Sequence, residues 1–425
     1  MSTDTAFDYS RYEENGLNHE AFFGLPAEVK FCRSCVISNQ RPSSTVEYKK
    51  ARDAKQETIG FGDEGICDAC RYHQVKAQEI DWQAREKSLI ELLDQHRRSD
   101  GGYDIIVPGS GGKDSAYTSH ILKYKYGMNP LTVTWAPHKY TEIGWKNFEN
   151  WIHTGGMDNI LFTPNGKLHR YLTRLAFLNL LHPFQPFIVG QRIIGPLMAE
   201  KFGVKLVMYG ENQAEYGNDS KENFKPTMDR KFFSAGDPEE MVLGGRTVKD
   251  IVAEGEFTLN DFAPYIPLSA DALENKGVEV HYLGYYLKWD PQECYYYAVE
   301  NTGFQANSER TEGTYSKYSS IDDRIDMFHY YTTLVKFGIG RATYDAAQEI
   351  RNQKITREEG VQLVRKYDQE FPRKYFKEFL EYISVSEEEF HAAVNKFRSP
   401  HLWMRDGHEW CLRHAVWHDE GWPAK

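Results

Sequence analysis

The chain has 425 residues, enough for two or three domains with sizeable cores. Its 51 basic and 62 acidic residues give a formal net charge of −11. That balance disfavours a large nucleic-acid footprint, although it leaves room for a local basic cleft. Six cysteines are too few for a disulfide scaffold.

The N-terminal sequence lacks the features of a secretory signal. It reads MSTDTAFDYSRYEENG, without a basic segment followed by an apolar one. The most apolar later stretch, Leu175–Ala199, is interrupted by polar residues and prolines. The sequence therefore predicts a soluble, cytoplasmic protein without a membrane span.

Residues 1–30 are expected to form a polar arm, followed at 31–73 by a turn-rich module that contains two cysteine pairs. The pairs have the CxxC spacing of a four-thiolate zinc site and consist of Cys32, Cys35, Cys67 and Cys70. The alternatives are disulfides, which a reducing cytoplasm disfavours, and a redox or iron–sulfur site. We predict a structural zinc ion, because a short segment without its own core needs such a cross-link.

Residues 74–98 have helical apolar spacing and are predicted to form one linking helix. Residues 99–320 alternate short apolar runs with helical ones, which predicts an α/β domain with a parallel sheet and helices on both faces. Residues 321–425 are predicted to be a helical region. The predicted strands are Ile105–Val107, Leu131–Trp135, Ile160–Phe162, Val204–Tyr209 and a further run, Val278–Tyr286; the predicted C-terminal helices are Asp322–Phe337, Ala342–Asn352, Arg357–Tyr367 and Ser386–Phe397.

The first predicted strand leads into the glycine-rich turn PGSGGKDS, which precedes a helix. This pattern matches neither the GxxxxGK[ST] loop nor the GxGxxG fingerprint. Backbone N–H groups around Gly111 and Gly112 suit phosphate oxygens, and Lys113 adds positive charge. Ser110 and Ser115 add hydroxyl donors, while Asp114 beside phosphate suits a Mg²⁺ ligand. The alternative is a tight turn with an exposed Lys-Asp pair.

The segment SGGKDS, Ser110 to Ser115, resembles the loop of the PP-loop ATP pyrophosphatase superfamily. The resemblance implies an adenine nucleotide alpha hydrolase-like fold, with ATP and Mg²⁺ as cofactors. It also implies cleavage of ATP to AMP and pyrophosphate, with transfer of the adenylyl group to a substrate oxygen.

Ligands of open parallel sheets bind at the carboxyl ends of the strands, so the loop after the second strand is expected nearby. By the same resemblance, its first residues, Trp135, Ala136 and Pro137, face the adenosine. For Trp135 the alternative is a buried core aromatic.

Several longer blocks resemble the N-acetyl sugar amidotransferases of bacterial lipopolysaccharide and O-antigen biosynthesis. They follow the cysteine module and the SGGKDS loop, and they lie at 135–192, 209–217, 312–326 and 336–351. The resemblance implies that an acetamido group on a nucleotide-activated sugar becomes an acetamidino group. Adenylation of the amide oxygen makes it a good leaving group, which ammonia then displaces as AMP.

The sequence contains no recognisable glutaminase nucleophile. Cys411, in HEWCLRH, is the nearest candidate and lies in a predicted helical tail; Cys294 also lacks a partner pattern. The family resemblance therefore implies a separate glutaminase and a barrel ammonia-delivery subunit, similar to imidazole glycerol phosphate synthase.

Four residues outside the loop are weaker site candidates. Glu211 and Asn212 follow a predicted strand, where they either contact a ligand or cap a turn. Lys317 is a candidate for phosphate binding and catalysis, and Arg341 for binding a phosphate or carboxylate of the substrate. The predicted catalytic set is Lys113, Asp114, Glu211 and Lys317.

The neighbouring acidic pair, Asp322 and Asp323, either joins the metal or caps the next helix. For Arg341 the alternative is an ordinary surface arginine without a ligand, and this alternative also stays open.

Two other functions remain open at this stage. Enzymes that thiolate tRNA also combine PP-loops with cysteine pairs, but the acidic balance and the lack of a spare cysteine in the ATP domain disfavour that function. The other is a zinc-ribbon binding module with a decayed ATP site. The preferred sugar is a UDP-linked 2,3-diacetamido uronic acid, followed by pseudaminic- or legionaminic-type acids.

Overall fold

The computed structural model describes residues 7–13, 19–216 and 224–419. Parts of the predicted N-terminal arm, Gly217 at the end of one resemblance block, and the last six residues lie outside these ranges.

Five parallel strands form the central sheet: β1 Ile105–Pro108, β2 Pro130–Trp135, β3 Asp158–Phe162, β4 Leu206–Tyr209 and β7 Glu279–Tyr282. Their order across the sheet is β3-β2-β1-β4-β7. In β1, Ile106 lies opposite Leu131 of β2 on one side and Val207 of β4 on the other. Strands β2 and β3 lie on one side of β1, and β4 and β7 lie on the other. The strand order therefore reverses at β1, which creates a topological switch point at its carboxyl end.

The side chains of β1 alternate between two buried layers. Ile105 and Val107 join a cluster with Leu89 and Leu122 on one face, whereas Ile106 joins a larger cluster with Leu172 on the other. A strand buried on both faces needs a continuous apolar run, which IIV provides. The predicted α/β sheet with helices on both faces is therefore confirmed.

The helices and the short strands complete the architecture around the sheet. The short strands are β5 Val242–Leu243, β6 Arg246–Thr247, β8 Trp403–Asp406 and β9 Glu409–Leu412. The helices of the described ranges are α1 Asp68–Gln78, α2 Trp82–His96, α3 Lys113–Tyr124, α4 Glu142–His153, α5 Gly166–Leu180, α6 Gln185–Phe202, α7 Val248–Ala253, α8 Ala270–Lys276, α9 Leu283–Tyr286, α10 Pro291–Thr302, α11 Asp326–Phe337, α12 Arg341–Arg351, α13 Arg357–Tyr367, α14 Phe376–Ile383, α15 Glu387–Lys396 and α16 Val416–Asp419.

Three helical predictions need correction. The predicted helix 74–98 is two helices, because the Asp81 carboxylate accepts hydrogen bonds from the N–H groups of Gln83 and Ala84 and starts α2 there. Helix α11 begins at Asp326 rather than Asp322. Cys411 lies in strand β9 rather than a helical tail, because the chain turns at Gly407 with a φ of 59° and forms a hairpin.

The four-cysteine module packs against the C-terminal helices. Its cysteines share a buried cluster with Ala346 of α12, Val361 of α13 and Trp417 of α16. The described part of the N-terminal arm also packs against the C-terminal region, because Tyr12 is buried in one cluster with Leu402 and Leu412 at the base of the hairpin. The domain divisions at residues 30, 73, 98 and 320 stay predictions.

Among the helices of the described ranges, none has the length and apolar character needed to cross a bilayer.

Candidate active site

The glycine-rich loop between β1 and α3 cannot accommodate side chains at two of its glycines. Gly111 has a φ of 82°, and a Cβ there would lie 2.8 Å from the Cα of Phe148. A Cβ on Gly109 would lie 2.1 Å from the Cβ of Ser115. The packing of Gly111 on α4 and of Gly109 on the first turn of α3 therefore requires glycine, independently of any ligand.

The N-terminus of α3 points its free N–H groups at this loop. Gly112 is the N-cap and has no side chain with which to cap them. The Ser115 hydroxyl donates to the carbonyl of Gly112 at 3.1 Å and lies in the same first turn. An uncapped helix start after a glycine loop is a favourable site for phosphate oxygens.

Lys113 and Asp114 form an ion pair in the first turn of α3. The distance from Lys113 Nζ to Asp114 Oδ2 is 2.6 Å. Burial works against the charge of the lysine, but the neighbouring carboxylate outweighs it and raises the pKa of Lys113. The other carboxylate oxygen, Asp114 Oδ1, is buried and has no hydrogen-bond partner among the described residues. A carboxylate oxygen left in this way beside a phosphate site fits a Mg²⁺ ligand.

Ser110 is held by the loop that precedes α11. Its hydroxyl donates to the Asp322 carboxylate, and burial raises the pKa of that carboxyl despite this hydrogen bond. The backbone of Asp322 is fixed as well, because its carbonyl accepts the N–H of Thr141 at 3.1 Å. Asp322 therefore lies next to the glycine-rich loop.

Lys113 and Asp114 line a cavity of about 100 Å³ together with Glu211 and Arg341. We call this space the loop cavity. Glu211 Oε1 accepts a hydrogen bond from Gln348 Nε2 at 2.8 Å, which joins the end of β4 to helix α12. Four predicted site residues from three distant parts of the sequence thus meet at one point.

Arg341 reaches the loop cavity by its side chain. Its guanidinium lies 4.4 Å from the ring centre of Tyr330, and its Nε lies 3.0 Å from Asp345 Oδ1. The N-terminus of α12, in contrast, is already capped, because the Asp368 carboxylate accepts the N–H groups of Gly340 and Thr343 at 2.9 and 2.7 Å. The helix start is therefore not available as the anion site that the sequence suggested, whereas the Arg341 side chain lines the loop cavity.

Lys317 and Asn212 do not line the loop cavity. Lys317 is exposed and donates from Nζ to the carbonyl of Ser308 at 3.0 Å, whereas its neighbour Ser316 does line the cavity. Asn212 is 1% exposed, accepts the N–H of Ala214 at 3.1 Å and lines a separate cavity of about 300 Å³. The structure thus separates both residues from the predicted active site.

Trp135 is a core residue. It is 3% exposed, its ring lies 5.2 Å from that of Phe162, and a Cβ on Gly190 would fall 2.1 Å from its Cε2. The Trp135 side chain is therefore part of the core, which is the alternative that the sequence left open. Ala136 and Pro137, the next two predicted adenosine contacts, line a cavity of about 380 Å³ at the carboxyl end of β2.

A buried histidine in the same cavity was missed by the sequence reasoning. His138 Nδ1 lies 2.7 Å from Asp323 Oδ2, and the same oxygen accepts the backbone N–H of His138. Asp323 therefore does not line the loop cavity; it fixes the loop after β2, and its other carboxylate oxygen accepts the N–H of Ile325, the residue before α11, at 3.0 Å. The only signal in the sequence was the position of His138 directly after the predicted adenosine contacts.

The four cysteines of the N-terminal module converge at one buried point. Their sulfur atoms all lie within 4.8 Å of one another, with Cys32–Cys70 at 3.9 Å and Cys35–Cys67 at 3.8 Å. Tetrahedral zinc with Zn–S bonds of about 2.3 Å requires S–S separations of about 3.8 Å. A disulfide requires about 2.05 Å. The donor set and spacing fit a metal ion.

The remaining two cysteines are not placed as nucleophiles. Cys294 is 2% exposed, and burial raises its thiol pKa well above the ordinary value. Burial and the nearby carboxylates of Asp406 and Glu409 also raise the pKa of Cys411. Both thiols are therefore protonated at neutral pH.

The sheet order, the glycine-rich loop and the uncapped helix together define an α/β protein of the PP-loop class. Residues 312–416 match the family described as LPS biosynthesis protein WbpG-like, C-terminal domain. Over these residues the chain is similar to that domain, which confirms the predicted relationship to lipopolysaccharide biosynthesis proteins. No curated protein matches the chain.

Three solved structures give weak matches. An NH3-dependent NAD synthetase from Campylobacter jejuni is 13% identical, with a TM-score of 0.26, over 47% of this chain and 94% of that chain. An NMN synthetase from Francisella tularensis is 12% identical, with a TM-score of 0.26, over 66% of this chain and 96% of that chain. An NAD+ synthetase from Burkholderia pseudomallei is 14% identical, with a TM-score of 0.23, over 55% of this chain and 95% of that chain.

Proposed function

We propose that the protein is an ATP-dependent amidotransferase that converts an acetamido group of a nucleotide-activated sugar into an acetamidino group. The preferred substrate is a UDP-linked 2,3-diacetamido uronic acid. One observation carries this proposal: the WbpG-like domain supplies Arg341 to the same cavity as Lys113 and Asp114 of the PP-loop.

The first half-reaction is transfer of the adenylyl group. The amide oxygen of the sugar attacks the α-phosphate of ATP, and pyrophosphate leaves into the loop around Gly111 and Gly112. The free N–H groups of α3 and the Lys113 ammonium stabilise the charge that collects on the leaving pyrophosphate. Mg²⁺, when bound, neutralises phosphate charge, and Asp114 is the residue that would hold it.

The second half-reaction replaces the adenylate by nitrogen. Ammonia attacks the activated carbon, and the C–O bond to AMP breaks as the amidine forms. Glu211, at the wall of the loop cavity, is the proposed acceptor of the proton that the attacking nitrogen loses. Arg341 is proposed to orient the anionic sugar.

The four-cysteine cluster is proposed to hold one structural Zn²⁺. Its sulfur geometry supports this assignment, and its position among the C-terminal helices gives the metal a folding role. Cys32, Cys35, Cys67 and Cys70 are the proposed metal ligands. Cys294 and Cys411 have raised thiol pKa values, so neither is a suitable thiolate to carry sulfur to a tRNA.

The proposed source of ammonia is a separate glutaminase with a barrel subunit resembling imidazole glycerol phosphate synthase. The two cysteines outside the cluster have raised thiol pKa values, which supports the need for another nucleophile. The chain alone is then expected to use ammonium salts but not glutamine.

AMP release tests the proposal. Purified protein is incubated with ATP, Mg²⁺ and ammonium chloride, together with a UDP-2,3-diacetamido uronic acid, a CMP-linked nonulosonic acid, bulk tRNA or no acceptor. We expect AMP only with an acetamido sugar, and a sugar product with the small mass decrease of an oxygen-to-NH exchange. AMP release that depends on tRNA, or on no acceptor, would reject the proposal.

A further inference from the structure

A second cavity, of about 350 Å³, lies directly beside the loop cavity. We call it the arginine pocket, because Arg41, Arg341 and Arg351 all line it. Its other polar lining includes Tyr330 and Tyr344. Small-molecule sites have volumes of roughly 300–1,000 Å³ and a few convergent polar groups, which this pocket also has.

The four-cysteine module forms one wall of the arginine pocket. Ile37, Arg41 and Ser44 lie between the two cysteine pairs in sequence, and Ala69 lies between the second pair. The facing wall comes from helices α11 and α12 of the C-terminal region. The pocket therefore exists only when the module is seated on these helices.

The pocket is positively charged within an acidic protein. Its lining contains three arginines and one acidic residue, Asp345, whereas the whole chain has a formal net charge of −11. Arg41 is only 7% exposed and lies 5.6 Å from the ring centre of Tyr344. A cluster of one buried and two partly buried arginines with aromatic neighbours suits phosphate or carboxylate groups of a ligand.

The two cavities share a wall. Arg341, Asp345 and Gln348 line both of them, so a ligand in the arginine pocket reaches toward Lys113 and Asp114 at the PP-loop. A molecule with its anionic end in the arginine pocket thus presents its other end to the phosphates of ATP.

We propose that the arginine pocket binds the anionic part of a nucleoside diphosphate sugar and that the four-cysteine module contributes Arg41 to this pocket. This inference rests on the proposed function, since it assigns the binding site of that substrate. The module is then part of the substrate site as well as a structural element. Arg351 from α12 completes the site; its Nη2 also donates to the carbonyl of Glu215 at 3.1 Å.

Titration of UDP, followed by calorimetry, tests the assignment. The protein is first saturated with α,β-methylene-ATP, so that UDP cannot bind through the PP-loop. We expect UDP to bind, and Arg41→Gln to raise its Kd roughly 10- to 100-fold, because a hydrogen bond to a charged group is lost. The matched control is Arg52→Gln, which makes the same change at an exposed position of the same module.

Arg351→Gln tests the opposite wall, and we expect a similar loss of UDP affinity. Titration of α,β-methylene-ATP and thermal unfolding of each variant show whether the ATP site and the fold are intact. Unchanged UDP affinity in folded Arg41→Gln and Arg351→Gln, or no UDP binding by the wild type, overturns the inference. Either result leaves sugar-dependent AMP release, and hence the proposed function, standing.

Discussion

The loop cavity and the arginine pocket adjoin each other but are built in different ways. The phosphate-binding end of the loop cavity comes from one continuous stretch, β1, the glycine-rich loop and α3, within residues 105–124. The arginine pocket combines residues 37–69 with residues 329–351, which are hundreds of positions apart.

This difference explains which half of the site can be read from a motif. Phosphate recognition by a helix start needs local backbone geometry, so it leaves a short pattern with fixed spacing. Recognition of a specific anionic sugar uses single side chains on separate elements, and these leave no common pattern. Variants of each end test whether phosphate binding and sugar binding are separable.

Loss of one cysteine ligand should have the largest effect. Cys67→Ser is expected to remove the metal and lower the free energy of unfolding by about 5 kcal/mol, because metal binding contributes directly to folding. Metal analysis and urea unfolding measure both quantities. The control, Cys411→Ser, alters a partly exposed thiol of the hairpin and should keep the metal. Full metal content in Cys67→Ser would contradict the four-cysteine assignment.

Asp114→Asn should strongly slow the cleavage of ATP to AMP while leaving the fold intact. We expect the rate of AMP formation to fall about 10²- to 10³-fold, the typical cost of losing one electrostatic group at the reacting phosphate. UDP binding to the arginine pocket should persist, which would separate the two ends of the site. The control is Asp53→Asn at an exposed position. Normal pyrophosphate release by Asp114→Asn would remove the proposed metal role.

The carboxyl group of Asp368, which caps helix α12, should make stability depend on pH. Burial raises the pKa of Asp368 from 3.8 to about 6 in the folded protein. The folded state therefore keeps a proton that the unfolded chain releases. This group's contribution to stability is present below pH 4 and is lost as the pH rises through 6, by about 3 kcal/mol in total.

Asp368→Asn removes this titration. Urea unfolding at about pH 4.5 and pH 7.5 should show the wild type losing about 2 kcal/mol more stability than the variant over this interval. Asp271→Asn, at an exposed position, should behave as the wild type. An equal pH dependence in Asp368→Asn and the wild type would contradict the raised pKa.

Gly111→Ala should strain the loop without touching the arginine pocket. The positive φ and the close Phe148 backbone are expected to cost about 1–3 kcal/mol of stability. Thermal unfolding measures this cost. Gly236→Ala is the control, because a Cβ there meets nothing within 4 Å and should change stability little. Equal melting temperatures for the two variants would show that the loop can relax.

Lys317→Ala should have the smallest effect. The side chain is exposed and lies outside the loop cavity, so we expect kcat for AMP formation to stay within about 2-fold of the wild type. Lys113→Ala, the contrasting lysine variant, should be strongly impaired. A large loss in Lys317→Ala would restore the catalytic role predicted from sequence and imply that the loop around it moves during turnover.

The sequence predicted the repeating pattern of the sheet well and the C-terminal hairpin poorly. Strands of the sheet are short apolar runs at regular intervals, a signal that survives in any context. The hairpin at 403–412 was missed because its turn, Asp406-Gly407-His408, lies between runs that also fit a helix. The break at Asp81 was missed because capping depends on one side chain within an otherwise helical pattern.

The sequence by itself determined the phosphate loop, the cysteine pairs and the fold class, because each depends on residues close together in the chain. Only the tertiary structure decided that Trp135 is core, that Lys317 is exposed, and that Arg41 of the cysteine module lines the same pocket as Arg341. Such placements depend on which helix faces pack together. That packing follows from the burial of many apolar residues distributed over the whole chain, so no single stretch of sequence encodes it.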